Sequence, residues 1–187
     1  VIVLSKLTLI LIFFNYKLYV CFVISFPMYD ATLVISVYDK CRELELILHA
    51  LTVQNYSMSD IEIIIAEDGT NDKIADLIKH WQVNGKLNIN HISQEDKGFR
   101  KNKILNKAIK TSASDYMIFI DGDCIPHPEF ITAHISSIDV NAVLCGRRVN
   151  LTKKSSSDIT KEKIESLDYS KTKFSNVLFS ALNRDKP

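Results

Sequence analysis

The run Phe119-Ile120-Asp121-Gly122-Asp123-Cys124-Ile125-Pro126 places two aspartates one residue apart, directly behind the apolar stretch Tyr116 to Ile120. Folding alone gives no reason to close a buried strand with two like charges. Carboxylates are hard oxygen ligands suited to magnesium or manganese. Alternate residues at a strand end can aim one carboxylate at an ion and the other at a water or a sugar hydroxyl. Gly122 lets the backbone approach a ligand closely. A divalent ion held there would bridge a diphosphate and stabilise the charge that grows on it as it leaves. The plainer alternative is a polar turn, since Asp and Gly are common turn residues.

Two other clusters could serve the same chemistry. In Ala66-Glu67-Asp68-Gly69-Thr70-Asn71-Asp72, an aspartate fixed at a strand end can accept the ring N–H of uracil. Asn71 or Asp72 can cap a following helix, which leaves Glu67 and Asp68 free. In Gln94-Glu95-Asp96-Lys97-Gly98-Phe99-Arg100, Gly98 and the cationic side of the next helix can approach a phosphate, because helix N-termini attract anions. The plainer reading of Arg100, Lys103, Lys107 and Lys110 is a solvated face. No aromatic residues interleave with that stripe, which argues against nucleic acid as a partner.

The elements that must position these groups alternate. Leu33 to Val37 is a continuous apolar run of strand length. Leu44, Ile47, Leu48 and Leu51 then repeat as one helix face. Ile61 to Ala66 reads as a second buried strand, and Ile74, Leu77, Ile78 and Trp81 as a second helix face. Leu87, Ile89 and Ile92 predict a third strand. Lys101 to Thr111 predicts a helix burying Ile104, Leu105, Ala108 and Ile109. Tyr116 to Ile120 is the fourth strand, Pro128 can start a helix running to about Ile138, and Ala142 to Cys145 is a short fifth strand. Near-continuous apolar strands alternating with helices predict a mostly parallel sheet covered on both faces. Ligands in such sheets sit at the carboxyl ends of the strands. That rule selects Ser36-Val37-Tyr38-Asp39, Glu67-Asp68-Gly69-Thr70 and Asp121-Gly122-Asp123.

The chain's 187 residues suffice for one domain with a real core. Its 23 lysines and arginines against 22 acids leave a formal charge of +1, so no global field points to an acidic partner. Cys21, Cys41, Cys124 and Cys145 lack CxxC spacing and read as reduced, partly buried thiols. Residues 1–27 form an apolar leader interrupted by Lys6, Asn15 and Lys17. Met28 stands just ahead of the patterned region and is expected to be the start, with the leader read through from upstream. A membrane anchor is the competing reading. Residues 28–151 form the expected patterned domain, and residues 152–187 the incomplete start of a further region.

Taken together, Ile35-Ser36-Val37-Tyr38-Asp39-Lys40, Ile65 to Asp72, Asp96-Lys97-Gly98-Phe99-Arg100 leading to Asn106-Lys107-Ala108-Ile109, and Phe119 to Asp123 resemble the family 2 glycosyltransferases. The Asp-Lys-Gly-Phe-Arg element is similar to the branch that includes bacterial capsule and chondroitin-type polymerases. The resemblance implies an α/β, Rossmann-like GT-A fold for nucleotide-diphospho-sugars. It implies a divalent metal, Mn2+ or Mg2+, at Asp121 and Asp123. It also implies a nucleotide- and donor-binding set of Ser36, Tyr38, Glu67, Asp68, Arg100 and Asp121. The donor would be a nucleotide-diphosphate sugar of the UDP type. The acceptor would be a hydroxyl of a glycan or a lipid-linked molecule, and the location cytoplasmic, at the inner face of the membrane if the leader anchors the chain.

Two departures qualify the match. Leu105 stands where related sequences often carry an arginine. No convincing Glu-Asp pair follows residue 151, and Asp158, Glu162, Glu165 and Asp168 sit in unconvincing contexts, so the catalytic base is expected beyond the chain. Rival readings are a nucleotidyltransferase, which would open with a glycine-rich loop where Tyr38-Asp39-Lys40-Cys41-Arg42 stands, and a phosphatase, which would want a hydroxyl at Ile125. A third is a fragment that binds a nucleotide sugar and turns nothing over.

Overall fold

The computed structural model describes residues 6–14, 17–25 and 28–171. In the leader, β1 (Lys6–Phe14) and β2 (Lys17–Ser25) pair as an antiparallel hairpin. The backbone there is extended rather than helical. Among the described residues no helix is long and apolar enough to cross a membrane. Asn15, the expected boundary at residue 27, and the expected last region from residue 172 onward lie outside the described residues, as does the side chain of Cys21.

The patterned region opens with β3 (Ala31–Val37), buried along its whole length. It continues through α1 (Cys41–Thr52), β4 (Ile61–Glu67), α2 (Asp72–Asn84), β5 (Asn88–Ser93), α3 (Lys101–Thr111), β6 (Met117–Asp121), α4 (Phe130–Ser136), α5 (Lys153–Ser157) and α6 (Lys161–Glu165). The strands form one parallel sheet in the order β5-β4-β3-β6. Period-two alternation along β3 sorts its side chains between two cores. Leu33, Ile35 and Val37 pack with Leu44, Ile47, Leu48, Leu51, Ile74, Ile78 and Trp81 of α1 and α2. Val34 packs on the other face with Ile64, Ala66, Ile104 and Ala108.

The connection through α3 leaves the β5 edge, crosses the second face and enters at β6 on the opposite edge. Strand order therefore reverses at β3, and a crevice opens between the carboxyl ends of β3 and β6. At the far, amino end of the sheet a buried polar knot ties α3 down. Thr32 Oγ1 donates to Glu62 Oε2 at 2.7 Å, and the backbone N–H of Ala113 donates to the same oxygen at 2.9 Å.

Local details follow from capping and packing. Asn71 caps α2, its side chain accepting from the Lys73 N–H at 3.0 Å, and Gly85 closes it in the left-handed conformation. Leu46 and Ala50 lie off the main stripe of α1 and are covered by Ile164 of α6.

Four expectations need correction. Ala142 to Cys145 forms no strand: among the described residues no strand pairs with it, the Ala142 N–H turns back to the Asp139 carbonyl at 3.1 Å, and Val143 is 90% exposed. Ile109 is 49% exposed, because α3 meets the sheet through Ile104 and Ala108, and the next position turns away. The helix after Pro128 is shorter than expected, starting at Phe130 after a turn in which the Phe130 N–H donates to the His127 carbonyl, and ending at Ser136. Cys41 and Cys124 are free and half-buried as expected, but Cys145 is exposed.

These placements separate two apolar residues that look alike in sequence. Ile104→Ala should lower stability by about 2–4 kcal/mol through the cavity it leaves. Val143→Ser should stay within about 0.5 kcal/mol of the parent. Urea midpoints of the two variants check both; a large loss at Val143 would mean that the segment is buried after all.

Candidate functional site

The pairing of β3 with β6 sets Ser36 beside Asp121. Ser36 Oγ donates to Asp121 Oδ1 at 3.3 Å, and the Gly122 N–H donates to the Ser36 carbonyl at 2.7 Å. A Cβ on Gly122 would stand 2.7 Å from that same carbonyl oxygen and 3.2 Å from Val37 Cα. The close approach that needs glycine is therefore to β3 itself rather than to a ligand. Beyond it the Cys124 N–H turns back to the Asp121 carbonyl at 3.0 Å, so Asp121 and Asp123 both line one cleft of about 470 Å³.

Each of these carboxylates meets a lysine. Lys40 Nζ lies 2.5 Å from Asp123 Oδ2, and Lys101 Nζ pairs with Asp121 Oδ1. The Lys40 hydrogen bond holds the Asp123 carboxyl below its ordinary pKa, and Asp123 in return raises that of Lys40. Arg148 also lines the cleft. Sequence reading missed all three cations. The available signals were the position of Lys40 in the loop that leaves β3 and that of Lys101 as the first residue of α3.

The opposite wall is held by Asp68, which is buried. Its Oδ1 accepts from Gln94 Nε2 at 2.5 Å and its Oδ2 from the backbone N–H of Arg100 at 2.7 Å. The Asp68 N–H donates to the Val37 carbonyl at 2.9 Å. Through its carboxylate and its N–H together, Asp68 thus ties the loops after β4 and β5 to the end of β3. Neighbouring Glu67 points the other way and is 1% exposed. It accepts the Asn71 N–H at 2.5 Å, and its second oxygen lies 2.8 Å from His91 Nε2. Glu67 does not line the cleft.

Arg100 does not line it either. Its guanidinium donates to the Glu95 carbonyl, while its Nε is buried without a hydrogen-bond partner among the described residues. Tyr38 is half-exposed, its hydroxyl donating to Asp96 Oδ2 at 2.9 Å, a bond that raises the phenol's pKa. Tyr38 borders both the cleft and a second hollow of about 460 Å³ that includes Asp39, Thr70 and Lys73. Asp158, Glu162, Glu165 and Asp168 are not among the cleft-lining residues. Glu165 instead lies 3.5 Å from His49 Nδ1.

The donor set fits a hard divalent ion. Ligand atoms of Asp121, Asp123 and Cys124 lie within 4.8 Å of one another, and both carboxylates are solvent-accessible. Burial pushes the Cys124 thiol's pKa up, and sulfur is a soft ligand, so the two carboxylates are the groups suited to a hard ion.

This architecture is the GT-A fold. The crystal structure of S. aureus TarS 1–349 is 18% identical to this chain, with a TM-score of 0.52 over 57% of this chain and 31% of that one. Residues 32–183 match the family model Glycosyl transferase family 2, and the chain belongs to that family. Among curated relatives, chondroitin synthase of Escherichia coli is 26% identical over 119 residues, or 63% of this chain and 17% of that protein. Glycosyltransferase AglE of Haloferax volcanii is 27% identical over 122 residues, or 65% of this chain and 40% of AglE. The chain thus matches less than half the length of either relative.

The contact at Gly122 predicts a sharp sensitivity. Gly122→Ala should destabilise the fold by about 1–3 kcal/mol, because a methyl group is forced against β3 backbone. Denaturation midpoints test this, and an unchanged midpoint would mean that the two strand ends are not in contact.

Proposed function

We propose that this chain is the donor-binding part of a metal-dependent, inverting glycosyltransferase. It would move a sugar from a UDP-type nucleotide donor to a hydroxyl of a glycan or lipid-linked acceptor, in surface polysaccharide or glycan synthesis. The observation that carries the reading is the meeting of Ser36, Asp68, Asp121 and Asp123 in one cleft at the sheet's switch point, in a chain of this family. The chondroitin synthase relative supports a polysaccharide product.

Each carboxylate oxygen of Asp68 has a second lone pair beyond the bond it already accepts, so Asp68 can take the ring N–H of uracil. Tyr38, with its half-exposed ring, and Ser36, bonded to Asp121, would lie near the nucleotide. Arg100 acts through its backbone, by fixing Asp68. Asp121 and Asp123 would hold magnesium or manganese, which supplies charge neutralisation at the departing diphosphate. In the transfer, the acceptor oxygen bonds to the anomeric carbon as that carbon's bond to the diphosphate breaks. The electron pair stays on the phosphate oxygen, and the hydroxyl proton passes to a carboxylate. A single displacement of this kind inverts the anomeric centre.

We place that carboxylate outside Asp158, Glu162, Glu165 and Asp168, since none of them lines the cleft. General-base catalysis contributes on the order of 10²–10⁴-fold. Alanine at any of the four should therefore leave turnover within about threefold of the parent, and a loss of about 10²-fold or more at one of them would overturn this placement.

Calorimetric titration tests donor binding directly. UDP should bind more tightly with manganese than with excess chelator. Asp123→Ala should abolish that difference, while Asp158→Ala should keep it. Equal affinities in manganese and chelator would remove the metal from the reading.

A further inference from the structure

Four carboxylates, Asp39, Asp68, Asp121 and Asp123, line the cleft together with three cations, Lys40, Lys101 and Arg148. With the acids alone, a divalent ion would still leave the lining net negative and repulsive to a diphosphate. The three cations bring the lining to one net negative charge, which a divalent ion turns positive. Two of them are already engaged by the carboxylates that would take the ion. Lys101 is the more constrained, half-buried at the start of α3 with its ammonium on Asp121 Oδ1.

We propose that Lys101 is a partner-switching cation. It neutralises Asp121 while the metal site is empty, and it transfers to the donor's diphosphate when an ion takes over the carboxylate. The inference rests on the nucleotide-sugar reading above. Its physical basis is competition: an ammonium and a metal ion cannot both occupy the same carboxylate oxygen direction. Once displaced, the ammonium remains within the cleft, where a diphosphate is the available acceptor for its donors. The backbone at Lys101 is fixed by its neighbour, since the Arg100 N–H is bonded to Asp68. The side chain therefore exchanges partners without movement of the helix.

The test titrates manganese alone, and then UDP and uridine at saturating manganese, into the parent chain, Lys101→Met and Lys101→Arg. Manganese alone should bind Lys101→Met more tightly than the parent, because the competing cation is gone. UDP should bind Lys101→Met about tenfold more weakly, as for one lost charge-assisted contact, while uridine binding stays at the parent value. Lys101→Arg keeps a cation and should recover most of the UDP affinity. Thermal melts confirm that both variants fold. Unchanged manganese affinity in Lys101→Met, or equal losses for UDP and uridine, would overturn the switch while leaving the donor reading in place. Failure of the parent chain itself to bind UDP would instead bring down that reading, and the switch with it.

Discussion

Two carboxylates a few ångströms apart repel each other, and the end of β6 is built around that repulsion. At 4 Å the cost of such a pair runs from about 1 kcal/mol in bulk water to about 4 kcal/mol at an effective dielectric near 20. The fold offsets it with long-range partners. Lys40 reaches Asp123 from the loop after β3, and Lys101 reaches Asp121 from the start of α3. Ser36 adds a hydroxyl from the neighbouring strand. The strand order that brings β3 beside β6 is what allows all three to arrive at one place.

Much of this was readable in the chain. The apolar runs of β3 and β4, and the face formed by Leu44, Ile47, Leu48 and Leu51, announce themselves because burial on both sides of a parallel sheet favours near-continuous apolar runs. The Asp-Gly-Asp run was legible for the opposite reason, as charge where burial should continue. What stayed hidden depends on contacts between residues far apart in the chain. Lys40 and Asp123 are separated by 83 positions, and no local spacing encodes their meeting. The same applies to Gly122, whose crowding neighbour is a carbonyl on another strand. Ala142 to Cys145 shows the converse error: an apolar run has strand character, yet without a partner it stays irregular.

Glu67 and Asp68 show how adjacent, chemically similar residues acquire different duties. Successive side chains at a strand end point to opposite sides. Glu67 is carried inward to brace the turn before α2 and to meet His91, and Asp68 is carried to the cleft. Sequence reading assigned both to the ligand because it had no way to assign a direction at the point where the strand ends.

The buried knot of Thr32, Glu62 and Ala113 lies at the far end of the sheet, yet it bears on the cleft through α3. That helix has 11 residues, about 16 Å at 1.5 Å per residue, and it is clamped at both extremities. Ala113, just past its last turn, is held by Glu62, and Arg100, just before its first, by Asp68. It therefore behaves as a strut with two fixed ends. The spatial tolerance on Lys101 is set as much by a glutamate on the opposite rim as by anything in the cleft. Loosening that distant anchor would widen the distribution of ammonium positions, with every cleft-lining side chain still in place.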